Sequence, residues 1–195
     1  MPASRRPGGA LVLAAGFSSR FGSDKRAHKL PDGTPLLLAT LDKYKTFSQL
    51  AVVIRDPEDE PAQWLRAASR DVTLIVAADA RLGMAHSLAA GIAGISEWSY
   101  AFIVLADMPF VAETTLAQLR STMEASTTPS IIVPTFNDRP THPVGYDVAF
   151  FEQLRTLKGD EGARSILQRC APQIVEVPVT DPGIHQDIDR PPTPD

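Results

Sequence analysis

The sequence predicts an α/β fold of three layers, α/β/α, built around a mostly parallel, doubly wound sheet. Three observations carry that expectation. Short apolar runs with no polar face recur at residues 10–14 (ALVLA), 50–54 (LAVVI) and 101–105 (AFIVL), as suits strands covered on both sides. Segments with apolar residues at helical spacing separate them, long enough for right-handed crossovers between parallel strands. The first run also passes straight into a loop of glycine, serine and cations, and open α/β sheets hold ligands at the carboxyl ends of their strands.

In chain order, residues 1–9 are rich in Pro, Gly and Arg and form a lead-in. After the strand at 10–14 and its loop, Pro31-Asp32-Gly33-Thr34 reads as a tight turn. Pro35 suits the first turn of a helix to about Phe47, with Leu36, Leu37, Thr40, Leu41 and Tyr44 as its inward stripe. A strand at 50–54, a helix at 58–69, a strand at 72–76 and a helix at 83–98 lead to the strand at 101–105. A helix follows at 112–125, then a strand at 130–134. Residues 135–146, with Asn137-Asp138 and prolines 140 and 143, read as a hairpin-like excursion. Helices at 147–157 and 161–170, a strand at 174–177 and a short strand at 184–188 complete the chain, and the proline-rich tail 190–195 adds no element. No internal repeat or long linker divides the chain, so residues 1–195 are expected to form one domain with an ordered core at about 9–190.

At 195 residues such a domain buries roughly 70% of its unfolded surface. Its 44% hydrophobic and 22% charged content is ordinary for a soluble protein, and a net charge of -4 argues against nucleic acid as the partner. The single cysteine, Cys170, excludes an internal disulfide and a cysteine-based zinc cluster and points to a reducing cytoplasm. Ser4-Arg5-Arg6 before an apolar run looks superficially like a twin-arginine export signal. The run is short, lacks a cleavage site, and its removal would destroy the loop. No stretch is long enough to span a bilayer, so no membrane partner is expected.

The loop carries the chemistry. Gly16 and Gly22 can bring backbone N–H groups close to an anion, Ser18 and Ser19 add hydroxyl donors, and Arg20, Lys25, Arg26 and Lys29 add charge against the lone Asp24. In an acidic chain this local excess of cations implies an anionic ligand. The Walker spacing fails because five residues separate Gly16 from Gly22 and Ser23 follows; the dinucleotide spacing fails because Phe17 and Ser18 follow Gly16. Asp107 falls just beyond the strand at 101–105, where a carboxylate facing the loop suits Mg2+, which takes one or two carboxylates together with phosphate oxygens and water. The plainer role for Asp107 is a helix cap before 112.

Leu13-Ala14-Ala15-Gly16, Ser18, Arg20-Phe21-Gly22 and Lys25 resemble, position by position, the signature L-A-[AG]-G-x-S-x-R-[MF]-G-x-x-K of the nucleotidyltransferases acting on molybdenum cofactor, the MobA/MocA-like NTP transferase family. The resemblance extends over about 10–191. Leu105-Ala106-Asp107-Met108-Pro109 is similar to its L-x-D-M-P motif, Gly83-Met84-Ala85-His86-Ser87-Leu88 to its G-M-x-x-S-L segment, Thr141-His142-Pro143-Val144 to G-H-P-V, Gly159-Asp160-Glu161-Gly162-Ala163-Arg164 to G-D-x-G-A-R, and Asp187-Ile188-Asp189 with Pro191 to D-I-D-x-P.

The resemblance implies a Rossmann-like nucleotidyltransferase fold and a nucleotide site at Leu13, Ala14, Ala15, Gly16, Ser18, Ser19, Gly22, Gly83 and Ser87, with Asp79 a weaker candidate. Arg20 and Lys25 would act on the triphosphate, Asp107 on Mg2+, Asp187 or Asp189 as a second metal ligand, and His142, Asp160, Gly162 and Arg164 on the acceptor. Lys29 competes with Lys25, since it is the lysine beside Leu30; otherwise Arg26 and Lys29 are solvated loop charges. Ala15, Gly83-Met84 and Gly159-Asp160 fall on the cytidylyl side of the resemblance, since guanylyl members more often read L-A-G-G. The implied reaction moves CMP from CTP to the terminal phosphate of molybdopterin, with a molybdenum hydroxylase apoenzyme as the later recipient. GTP, a sugar phosphate or phosphocholine acceptor, and a non-catalytic delivery protein are the alternatives. Thr141 in place of glycine and Arg190 in place of a small polar residue depart from the family pattern on the acceptor side.

Overall fold

The computed structural model describes residues 7–18, 21–67, 71–159 and 163–188. Its sheet begins with β1 (Gly9–Leu13), β2 (Gln49–Ile54), β3 (Thr73–Val76) and β4 (Tyr100–Leu105), all parallel, in the spatial order β3-β2-β1-β4. The chain builds outward from β1 to β3 and then returns to place β4 on the other side of β1. That reversal makes the β1/β4 boundary a topological switch point, where the loops leaving two adjacent strands diverge and open a crevice. Leu13 stands in register with Leu105, so both loops leave the sheet at one level.

Alternation along β1 explains why it lacks a polar face. Ala10, Val12 and Ala14 pack into one core with α1 (Leu36–Lys43), α2 (Glu60–Ala67) and α4 (Glu113–Ala125). Leu11 and Ala15 pack into a second core with α3 (Met84–Gly94), α5 (Phe151–Arg155) and α6 (Arg164–Arg169). The expected three-layer, mostly parallel fold is what the chain adopts.

Beyond β4 the expectation needs correction. Residues 135–146 are not merely an excursion. Asn137 and Asp138, at φ 50° and 60°, turn β5 (Ile131–Phe136) into β6 (Arg139–Pro140), and the chain then enters the sheet as β7 (Val144–Asp147), antiparallel to both β4 and β5. A Cβ on Gly145 would lie 2.6 Å from the Phe102 ring, so only glycine lets β7 settle against β4. β8 (Ile174–Pro178) pairs parallel with β5. The expected strand at 184–188 is instead a 3₁₀ turn, Pro182–His185, because Asp181 accepts from the Gly183 N–H and also binds the Ala112 N–H and Thr115 hydroxyl, which folds the segment back on itself. The helix expected at 147–157 starts with a 3₁₀ turn, Val148–Phe150, and the one expected at 83–98 ends at Gly94. Pro35 sits at the N-cap of α1, one position before its first turn.

Candidate active site

The loop after β1 is shaped from below. Ala14 donates its N–H to the Val53 carbonyl, and Ala14 and Ala15 are buried. Ser18 lies at φ 51°, its carbonyl taking the Phe21 N–H at 2.8 Å and its hydroxyl oxygen the Lys25 N–H at 3.2 Å. Gly22 lies at φ 78° and has open space where a side chain would be. Asp24 then caps the 3₁₀ turn Lys25–Ala27, which turns Lys25 toward the sheet.

Across the crevice, Asp107 lies two residues past the end of β4. The buried Thr40 hydroxyl of α1 donates to the Ala106 carbonyl at 3.0 Å and so fixes this segment. Lys25 Nζ meets Asp107 Oδ2 at 2.7 Å, while Asp107 Oδ1 is buried with no hydrogen-bond partner. Asp107 is not a helix cap: Ala112 holds that position, and its N–H goes to Asp181. The Ile188 N–H donates to the Asp107 carbonyl at 3.3 Å, which brings the segment containing Asp187 alongside.

Arg26 is not a solvated charge. It is 4% exposed, donates to the Ala14 carbonyl at 3.2 Å, and pairs with Asp24 at 2.6 Å and Asp59 at 2.7 Å. Arg55, at the end of β2, binds Asp24 at 2.7 Å and the Gly16 carbonyl. Burial alone would raise the Asp24 carboxyl, but hydrogen bonds and charge from Arg26, with the charge of Arg55, outweigh it and hold it below the usual carboxylate range. The two arginines thus bind the Ala14 and Gly16 carbonyls and fix the loop from the side of β2. Lys29 is exposed and bridges Pro35, apart from the cavity.

A cavity of about 600 Å³ opens between these parts. Residues 13–18, Lys25, Gly83, Met84, Ser87 and Asp107 line it, as does Arg81. Gly83, at φ 120°, makes the bend into α3, and Ser87 is buried on that helix one turn further on. Met84 is 51% exposed in the cavity mouth rather than packed in the core. Asp79 stands outside the cavity lining and caps nothing with its side chain. A second cavity, about 190 Å³, shares Leu13, Met84 and Leu105 with the first and adds His142, Tyr146 and Arg164. Burial pushes the His142 imidazole below its ordinary pKa, against the opposing pull of the Ile103 carbonyl, 3.2 Å from Nδ1, and of the Asp107 charge. Thr141 donates its hydroxyl to the Ile184 carbonyl. Ser19, Arg20, Asp160, Gly162 and Asp189 lie outside the described residues.

Sequence reasoning passed over Phe17, Arg55 and Arg81. Arg55 had a usable signal, a charge ending an otherwise apolar strand at the ligand edge of the sheet; Arg81, two residues before Gly83, had one only in its position.

A cationic loop and an opposed aspartate at the switch point of a parallel sheet define a nucleotide-handling α/β protein. Residues 10–175 match the family described as the MobA-like NTP transferase domain, and the chain belongs to that family of nucleotidyltransferases. It is 29% identical over 192 residues to the purine catabolism protein PucB of Bacillus subtilis, covering 93% of this chain and 91% of that protein. The crystal structure of Rv0371c from Mycobacterium tuberculosis is similar at a TM-score of 0.78 and 26% identity, over 96% of this chain and 95% of that one; a manganese complex of Rv0371c is similar at 0.68 and 24%, over 91% and 90%. Molybdopterin-guanine dinucleotide biosynthesis protein A from Archaeoglobus fulgidus shares the fold at 0.64 and 22%, over 87% and 83%.

Proposed function

We propose that this chain, read as one nucleotidyltransferase domain, transfers CMP from CTP to the terminal phosphate of a molybdopterin acceptor and releases pyrophosphate. The observation that carries the reading is the Lys25–Asp107 pair across the mouth of the main cavity, with Asp107 Oδ1 left buried and unpartnered. That oxygen suits a bound cation. Among the described residues no trio of His, Cys, Asp or Glu side chains is grouped for metal binding, and a hard ion held by one or two carboxylates together with substrate phosphates needs none. Asp107, with Asp187 or Asp189, would hold Mg2+. The manganese complex of Rv0371c supports a divalent ion in this fold. When bound, the ion would supply Lewis acidity to the triphosphate.

The chain's own groups do the remainder. A phosphate oxygen of the acceptor attacks the α-phosphorus of CTP in line; the new P–O bond forms as the bond to the β-phosphate oxygen breaks, and pyrophosphate leaves. Lys25 and Arg20 offset the charge that develops on the transferred and departing phosphates, and the loop N–H groups of residues 16–18 orient them. The Ala15 methyl, buried beside the cavity, narrows the space for a base and favours cytosine over guanine. His142 and Arg164 in the adjoining cavity suit the acceptor. We place the enzyme in the cytoplasm, its product passing to a molybdenum hydroxylase; the name of PucB, a purine catabolism protein, fits such a recipient. Among the described residues no helix is long and apolar enough to cross a membrane.

The test is pyrophosphate release with Mg2+ and molybdopterin, comparing CTP, GTP, ATP and UTP in the wild type and Asp107→Ala. Release strongest with CTP and absent in the folded variant is the expected result. Preference for GTP would reverse the base assignment. Turnover only with a sugar phosphate or phosphocholine would replace the acceptor, and nucleotide binding without release would leave a delivery protein.

A further inference from the structure

We propose that Arg81 is a further anion-binding residue of the nucleotide site, held on the Phe17 ring and directing its guanidinium N–H groups at the polyphosphate from the α3 side of the cavity. The proposal rests on the nucleoside triphosphate reading above. Phe17 is 43% exposed at the tip of the loop, an unusual place for a large apolar ring. Two guanidinium groups lie over it, Arg55 at 5.1 Å and Arg81 at 5.0 Å from its centroid.

Their surroundings separate their roles. The charge of Arg55 is answered by Asp24, and its N–H groups are used by Asp24 and the Gly16 carbonyl. Arg81 is exposed, lines the cavity, and among the described residues has no hydrogen bond or ion pair. The other described cations of the cavity wall are compensated, Lys25 by Asp107 and Arg26 by Asp24 and Asp59. A bound triphosphate, with several negative charges, meets in Arg81 a cation that it need not take from a carboxylate.

The contact with the Phe17 ring adds orientation. A guanidinium resting on an aromatic face keeps its edge free, and that edge is the planar fork that binds two phosphate oxygens at once. Holding the side chain there before the ligand arrives lowers the ordering cost of the contact. It also ties the loop after β1 to the turn before α3, the two walls between which the phosphates must lie.

The experiment is calorimetric titration of the full chain in Mg2+ with CTP and, separately, with inorganic tripolyphosphate, for the wild type, Arg81→Gln and Arg81→Lys. Removing one charge-assisted donor should weaken both ligands by about tenfold in Arg81→Gln, with Arg81→Lys recovering only part because it keeps the charge and loses the fork. The affinity of Arg81→Gln should also fall less steeply with salt than that of the wild type. Since the one described contact of Arg81 is with the exposed Phe17 ring, a weak surface interaction, the unliganded variants should melt within about 4 °C of the wild type. Unchanged tripolyphosphate affinity in Arg81→Gln overturns the proposal, whether CTP is unaffected or weakened alone, the latter marking a contact to base or ribose. Failure of the wild type to bind either ligand would instead remove the nucleoside triphosphate reading of this site on which it stands.

Discussion

At the residue scale the site is organised by charges that satisfy one another until a ligand arrives. Lys25 holds one oxygen of Asp107, so a metal ion bound there, as proposed, would share that carboxylate with an ammonium group. Replacing Lys25 with Met should therefore make Mg2+ alone raise the melting temperature more than it does in the wild type, while lowering kcat by about a hundredfold, the order lost when one charge-stabilising donor is removed. Melts with and without Mg2+, followed by turnover, check both; an equal Mg2+ shift in the two proteins would mean that the ion does not use Asp107. Arg26 makes a separate prediction. It is buried among Asp24, Asp59 and the Ala14 carbonyl, so Arg26→Ala should cost about 2–4 kcal/mol, or roughly 5–15 °C, by leaving Asp59 and that carbonyl without their partner. KM for the nucleotide should rise as the loop relaxes. Thermal melts and initial rates would show a solvated, dispensable arginine as no change in either. That Asp107 faces the loop carrying Lys25 was legible in the sequence, because each sits at a fixed distance from a strand end within a recognisable motif. Arg26 was not: a cation among loop cations looks solvated until the fold brings Asp59 from another element beneath it.

At the element scale, strands that alternate with helices could be read from apolar runs, because parallel strands buried on both faces leave a continuous signal. β7 escaped. Val144-Gly145-Tyr146 is too short and too close to two prolines to read as a strand, and its place inside the sheet comes from pairing on both sides, which is a property of β4 and β5. Helix α3 shows how closely an element must seat to form the cavity wall. A Cβ on Gly91 would stand 2.7 Å from Val53 Cγ2 and 2.8 Å from Leu11 Cδ2, nearer than side-chain atoms approach. Alanine there gains up to about 1 kcal/mol in helix propensity, yet overpacking costs about 1–3 kcal/mol. Gly91→Ala should thus lower stability by about 1–2 kcal/mol. Because lifting α3 moves Met84 and Ser87 away from β1, nucleotide affinity should fall with it. Denaturant unfolding and CTP titration test the pair of effects; a more stable variant would mean that α3 does not bear on the sheet at this point.

At the scale of the whole molecule, the switch point sets the main cavity between β1 and β4 and the smaller one beside β7, so the sheet and the walls of both cavities share residues. His142 is where this can be measured. It stands in the wall of the smaller cavity beneath the end of β4, with Nδ1 at the Ile103 carbonyl. Burial holds its pKa below the ordinary value of 6.5, so the folded protein takes up this proton less readily than the unfolded chain does. The unfolded state then binds more protons as pH drops, and the stability that neutral His142 contributes is complete above about pH 6.5 and is lost as pH falls below it, at no more than about 1.4 kcal/mol per pH unit for one proton. Melting temperatures at pH 7.5 and 5.5 should fall further for the wild type than for His142→Gln, whose other titrating groups are the same. The difference between the two proteins, rather than either slope, isolates the imidazole. An equal or smaller fall in the wild type would mean that protonated His142 is accommodated in the fold, and that the cavity beside it admits water and charge as readily as bulk solvent does.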